Sequence, residues 1–313
     1  MWNKLRPEIL KELRESAIIQ SSESSNRIEG VEVEKNRLAP LVLGKTAPRD
    51  RSEEEIVGYR QALNHIHDNY QDIRIDAELI LKLHAFAQGG MVGDAGKWKS
   101  RDNEIIEFSP SGERSVRFKL LSAKETPAAI EQLCLGYKQV LQNNELPELV
   151  AIANFVFDFL SIHPFRDGNG RVSRLLTLLL IYQQNYEVGK YVSLERIIEE
   201  TKVDYYEVLK SSSTGWHDSE HNLVPWWHYF LGIIRNAYQE LQNRVELSTT
   251  GDSKSSLIKQ TILSLGHPFS ISDICNMHKS LDRELVKKVV FAMRDDGQLK
   301  KTGKGRGTRW ERV

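Results

Sequence analysis

Apolar residues recur at three- and four-residue spacing along most of the chain. Between positions 149 and 160 they fall at Leu149, Ile152, Ala153, Val156, Phe159 and Leu160, which is one face of a helix. From Arg171 to Gln184 polar positions almost vanish, so this stretch predicts a helix enclosed by others. Val224 to Glu246 predicts a long helix with Trp227, Phe230, Leu231, Ile234 and Leu241 inward. The period shortens between Asn103 and Leu120. There Glu104–Phe108 and Ser115–Phe118 flank Ser109-Pro110-Ser111-Gly112, the pattern of a β-hairpin. Residues 247–256 are polar and aperiodic and predict a linker. Beyond it the pattern predicts a helix at 257–265, a short strand at Phe269-Ser270, helices at 271–278 and 282–296, and a hairpin closing around 303–307. Helix, helix-turn-helix, then hairpin is a winged-helix order. The expectation is a mainly α protein: an N-terminal helical region at 1–74, a helical core with a β-hairpin at 75–246, the linker, and a small winged-helix domain at 257–313.

Composition narrows the functional classes. The 43 basic and 43 acidic side chains cancel, which argues against a chain-wide nucleic-acid or membrane role and leaves room for a local patch. Cys134 and Cys275 are far apart, with no CxxC pair, and a reduced cytoplasmic setting is expected. Met1-Trp2-Asn3-Lys4 opens without the apolar run of a signal peptide. Leu175–Tyr182, the most apolar run, is too short for a bilayer, and the mean hydropathy is −0.44. No membrane association is expected.

Candidate chemistry is concentrated in His163-Pro-Phe-Arg-Asp167-Gly-Asn-Gly-Arg171-Val-Ser-Arg174. The segment joins the helix ending near Ile162 to the buried helix starting near Gly170. Pro164 discourages continuation of the first helix. Gly168 and Gly170 allow close backbone approach. The first N–H groups of the second helix then point into the loop and suit an anion. Arg171 and Arg174, three apart on the first turn, offer two guanidinium forks for a polyphosphate. Asp167 is a hard oxygen donor for Mg²⁺ (or Mn²⁺), and His163 is a candidate general base. These are the parts of a phosphoryl or nucleotidyl transfer, and no P-loop GxxxxGK[ST] is present.

The segment resembles the Fic signature HxFx[D/E]GNGRxxR at each specified position, and the resemblance extends over about residues 15–245. It implies a protein adenylyltransferase: AMP from ATP, with Mg²⁺, to a Ser, Thr or Tyr hydroxyl of a target protein, self-modification included. It implies His163 as base, Asp167 as metal ligand, and Gly168, Asn169 and Gly170 around the α-phosphate. Arg171 and Arg174 would reach the outer phosphates, with Val172 and Ser173 along the same nucleotide-binding turn and Phe165 as a core anchor. Ser25-Asn-Arg-Ile-Glu29-Gly30 fits the family's inhibitory pattern [S/T]xxxE[G/N] and implies a Glu29–Arg174 pair that misplaces the γ-phosphate. The hairpin resembles the family's flap, with Ile105 and Ile106 placed to dock the target. Tyr205-Tyr206 resembles a pair lining the base pocket, with Tyr206 the nucleotide contact.

Other features carry less. His217 and His221 are four apart without a third ligand and are expected at a solvated helix entry. His84 reads as a satisfied core histidine and Trp98 as packing. The basic tail from Lys300 to Arg312 suits DNA phosphates or protein docking. Two alternative readings stay open: a nucleotide-sensing DNA-binding regulator, and a Fic transferase with another donor. A homodimer is compatible with the sequence.

Overall fold

In the computed structural model, which describes residues 7–90, 93–108, 114–249, 253–265, 268–278, 281–303 and 305–313, the chain divides into two compact units, 1–237 and 238–313. The protein is mainly helical, with two small antiparallel sheets.

The first unit is organised around one helix that has no polar face. Its elements are α1 (Pro7–Ile28), α2 (Lys35–Val42), α3 (Arg51–Asn69), α4 (Ala77–Ala87), β1 (Glu104–Phe108), β2 (Arg114–Lys119), α5 (Thr126–Gln142), α6 (Glu148–Ile162), α7 (Asn169–Gln183), α8 (Leu194–Glu200), α9 (Lys202–Ser213) and the start of α10 (Val224–Thr249). Val172, Leu175, Leu176, Leu178, Leu179, Leu180, Ile181 and Tyr182 are all fully buried on α7. Helices α1, α3, α4 and α6 surround it. α5 covers the outer side of α6, and α8 lies along α1. Asp50 and Asp76 cap α3 and α4 by accepting the N–H of Glu53 and Leu79.

The α1 interface is unusual in composition. Ser21, Ser22, Ser24, Ser25 and Asn26 are buried on it, so small polar groups line much of the surface it packs. They are accommodated by hydrogen bonds: Ser21 Oγ donates to Glu195 Oε2 at 2.6 Å, and Tyr59 donates to Glu195 Oε1 at 3.0 Å.

β1 and β2 pair antiparallel from Glu104↔Lys119 to Phe108↔Arg114, with a register shift between Ile105 and Ile106. The expected turn at Ser109–Gly112 lies outside the described residues. On α10, Trp226, Phe230, Ile233 and Ile234 are buried, whereas Trp227 and Leu231 are half-buried. The expected inward face is thus rotated by about one residue. Both indoles find acceptors, Trp226 at Ala153 O and Trp227 at Asn154 Oδ1, each 2.7 Å, so the aromatic pattern did not distinguish them.

The second unit begins within α10. The expected linker at 247–256 is partly helical, since α10 runs to Thr249 and α11 (Ser253–Ser264) starts at Ser253. Then follow α12 (Ile271–Met277), α13 (Arg283–Asp295), β3 (Leu299–Thr302) and β4 (Arg309–Arg312). Ser270 and Asp273 form a capping box on α12. Phe269 bridges antiparallel to Trp310, and β3 pairs with β4 from Leu299↔Arg312 to Thr302↔Arg309. Ile258, Ile262, Phe269, Val286, Val290, Met293, Leu299 and Trp310 form this unit's own core. Among the described residues, no helix is long and apolar enough to cross a membrane.

Candidate active site

The site grows from the break between α6 and α7. His163 terminates α6 in the left-handed region, φ 52°, with its N–H on Phe159 O at 3.0 Å. Pro164 follows and cannot donate to a further helical turn. The loop is then fixed from three sides. Phe165 is fully buried, stacked on His84 with ring centroids 3.7 Å apart and on Trp98 at 5.2 Å. Asn169 closes the loop on itself: its Oδ1 accepts Phe165 N–H at 2.9 Å and its Nδ2 donates to Phe165 O at 2.8 Å. Lys99 holds the other end, donating N–H to Pro164 O at 2.9 Å and Nζ to Ile162 O at 3.2 Å.

His163 Nδ1 lies 3.2 Å from Leu160 O and therefore carries the proton, which leaves Nε2 as an acceptor. Burial pushes its pKa down to about 4; the Leu160 hydrogen bond opposes this and the Lys99 charge adds to it. At neutral pH the ring is a neutral base.

Gly168 caps α7 at φ 82°, where a side chain would meet Gln88 Nε2 at 2.7 Å. Val172 N–H makes the first intrahelical bond, to Gly168 O at 3.0 Å. The N–H groups of Asn169, Gly170 and Arg171 thus have no acceptor within α7, and the positive end of the helix dipole faces the loop. A carboxylate lies beside Gly170. A Cβ on Gly170 would lie 2.2 Å from Glu29 Oε1. Glu29 arrives there because α1 ends at Ile28 and the chain turns at Gly30, φ 83°.

Arg174 joins Glu29 to α7. Its Nη2 donates to Glu29 Oε1 at 2.8 Å and to Ser25 O at 2.9 Å, and its Nε donates to Ser25 Oγ at 2.8 Å. Nη1 is buried, 3.0 Å from the Cβ position of Gly170, and has no hydrogen-bond partner among the described residues.

Asp167 accepts Gly168 N–H at Oδ1, 2.7 Å, and lies 3.4 Å from Arg171 Nη2 at Oδ2. Its side chain is 62% exposed, so the carboxylate stays accessible beside the anion seat. Among the described residues no group of three or more His, Cys, Asp and Glu could hold a metal alone. One accessible carboxylate beside the α7 N-terminus fits Mg²⁺, which commonly takes one or two carboxylates plus substrate phosphates.

Several expected site residues lie elsewhere. Arg171 is fully buried: its Nη1 serves Glu55 Oε2, Ala87 O at 3.0 Å and Asn26 Oδ1 at 3.3 Å, so it ties α7 to α1, α3 and α4 instead of offering a second fork to an anion. Val172 is in the core, and Ser173 Oγ donates back to Gly170 O at 2.8 Å, so neither side chain faces the loop. Helical geometry is the reason, because positions 172 and 173 point away from the face shared by 170 and 174. Asn169 spends its side chain on Phe165, leaving only its N–H for an anion. Tyr205 is buried against Trp226 and Tyr229, whereas Tyr206 is 39% exposed on α9. Ile105 is half-buried and Ile106 exposed on β1. His217 and His221 lie in the run that leads into α10, with 217–220 exposed and His221 half-buried. His217, inside a short 3-10 turn at Trp216–Asp218, lies 2.6 Å from Lys119 O, and Trp216 donates to Asp158 Oδ1 at 2.8 Å.

Three contributors were not evident in the sequence. His84 links the loop to the run before the hairpin, donating from Nε2 to Asp167 O at 3.0 Å and accepting Gly96 N–H at Nδ1, 3.0 Å. Burial lowers its pKa to about 4. Lys99, lowered by burial to about 8, and Glu55 are the others. Each sits 60 or more residues from its partner in the loop or α7, so local spacing carries no trace of them.

Residues 74–181 match the Fic/DOC family. This chain carries a Fic domain. The expected resemblance, about 15–245, is wider than that match, which leaves Glu29 outside it. A Fido domain-containing protein of Dictyostelium discoideum is 35% identical over 65 residues, 20% of this chain, so the chain spans 46% of that relative. A Fic family protein from Desulfovibrio desulfuricans superposes with TM-score 0.60 at 22% identity, covering 99% of this chain and 89% of that one. A Fic domain containing signaling protein from Bacteroides thetaiotaomicron gives 0.63 at 22%, covering 76% and 90%. Fic-1 from C. elegans gives 0.57 at 17%, covering 79% and 69%. These structures share the fold.

Proposed function

We propose that the Fic domain transfers AMP from ATP to a protein hydroxyl and that Glu29 restrains the transfer. Fic domains are known for nucleotidyl transfer, which supports this reaction class. The observation that carries the reading is the anion seat over Gly170, built from the α7 N-terminus and Arg174 and held by a carboxylate that a phosphate can replace.

The residues divide the work as follows. The target hydroxyl loses its proton to His163 Nε2 as its oxygen attacks the α-phosphorus. A P–O bond forms, the bond to the β-phosphate bridging oxygen breaks, and pyrophosphate leaves. The N–H groups of Asn169 and Gly170 stabilise charge that grows on the α-phosphate. Arg174 holds the outer phosphates once its contact with Glu29 is given up. Mg²⁺ (or Mn²⁺), held by Asp167 with the phosphates, would offset their negative charge. Arg171 acts through position, keeping α7 and Asp167 in register.

A sensor without transfer has no use for a neutral base at His163, which favours the enzyme over a nucleotide-sensing regulator. The test is intact mass after incubation with ATP and Mg²⁺, wild type beside Glu29→Gly. An AMP adduct on the protein or on an added target, formed faster by the variant, is the expected result. A phosphate adduct, or no adduct from either, sinks the reading.

A further inference from the structure

Charge is segregated along this chain in a way its overall neutrality hides. Residues 253–313 hold 13 Lys and Arg against 6 Asp and Glu, although the whole sequence balances at 43 and 43. The excess lies within the C-terminal unit. Most of its acids are engaged by that unit itself. Asp273 closes the capping box on α12. Asp282 caps α13 by accepting Glu284 N–H at 3.3 Å. Glu284 pairs with Lys287 at 2.6 Å, Asp295 with Arg294 at 2.5 Å and Glu311 with Lys300 at 3.4 Å.

α13 turns Val286, Val289, Val290 and Met293 into the core and exposes Arg283, Lys288, Ala292 and Arg294, together with Glu284, Phe291 and Asp295. Phe291 stacks near Trp310, ring centroids 5.6 Å apart, which fixes β4 beside α13. Lys300, Lys301 and Arg309 are exposed on the hairpin, Lys300 and Arg309 on one face and Lys301 on the other.

We propose that this C-terminal unit binds double-stranded DNA, with the outward face of α13 in the major groove and the β3–β4 hairpin along the phosphates. A helix fits the groove, and the spread of separate bases over a helix and a hairpin suits a duplex carrying a charge every ~1.7 Å. The same face carries one exposed aromatic ring, Phe291 at 41%, with Arg294 5.2 Å from its centroid, so the experiment sets an acidic protein against the duplex. The inference is independent of AMP transfer.

The experiment is fluorescence anisotropy of a labelled duplex of about 24 base pairs with the full-length chain, from about 50 to 200 mM salt. With about four phosphates neutralised, affinity is expected to fall roughly 100-fold across that range. The triple variant Lys288→Ala, Lys301→Ala, Arg309→Ala is expected to weaken binding and flatten the log–log salt slope by nearly 3. All three sites are exposed, and its melting midpoint is checked against wild type. A matched triple in the other unit, Arg74→Ala, Lys124→Ala, Lys138→Ala, should bind as wild type does. Absence of binding at about 50 mM salt with about 10 µM protein overturns the proposal. So does equal loss in both triples, or tighter binding of poly-glutamate than of the duplex, which would indicate an acidic protein instead.

Discussion

His163 shows how much of the chemistry is decided within a few ångströms. Its left-handed backbone turns the ring out of α6, and the Leu160 carbonyl selects the tautomer with a basic Nε2. His163→Ala is expected to lower transfer by about 10²–10⁴-fold while nucleotide affinity, measured separately by titration, changes little. The base form dominates above its folded pKa of about 4, so the acid limb of the rate profile should fall near that value and not near the ordinary histidine value. A rate that halves near pH 6.5 would contradict the assignment. Glu55 is a second test. It is nearly fully buried against Arg171, and Glu55→Ala leaves that guanidinium underpaired. A loss of about 3 kcal/mol is expected by chemical denaturation. The motif itself was legible because eight chemically specified positions lie within twelve residues. The burial of Arg171 was not legible, because spacing shows which face a side chain leaves from and not which distant acceptor, here Glu55, meets it.

At the scale of elements, α7 and the hairpin were evident in the sequence because each interrupts the prevailing period, one by losing its polar face and the other by alternating. The pairing of α1 with α7 was not evident from periodicity, since the buried face of α1 is serine-rich; only the short pattern ending in Glu29-Gly30 pointed to it. If α1 acts by occupying the seat, Glu29→Gly should raise initial AMP incorporation by at least about tenfold, because misplacement of a reacting phosphate costs on the order of 10²-fold. A variant no faster than wild type would make α1 simply a structural helix. The hairpin carries a separate expectation. Among the described residues each strand has one partner, which leaves an edge for an extended target segment. Ile106→Pro removes a strand donor and should slow modification of the target without weakening ATP binding.

For the whole molecule, three histidines set an acid limit on stability. Burial lowers His67 to about 3 and His84 and His163 to about 4. The unfolded chain, with values near ~6.5, binds more protons than the folded one between those limits, so stability is complete above ~6.5 and is lost as pH falls. His67 and His84, both buried, should each cost about 1–2 kcal/mol by pH ~5. A melting midpoint that does not drop between pH ~7.5 and ~5 would refute this. The unit boundary falls inside α10, upstream of the polar, aperiodic run at 247–256, because polarity marks a helix end as readily as a linker. The serine-lined face of α1 has a further consequence for how the first unit breathes. Serines remove little apolar surface from water, so detaching α1 gives up far less hydrophobic free energy than opening α7, and its bonds to Glu195 and Arg174 can be exchanged for water. Amides of residues 20–28 should therefore exchange with deuterium through a sub-global opening, at rates well above those of 175–182, while the rest of the bundle stays protected.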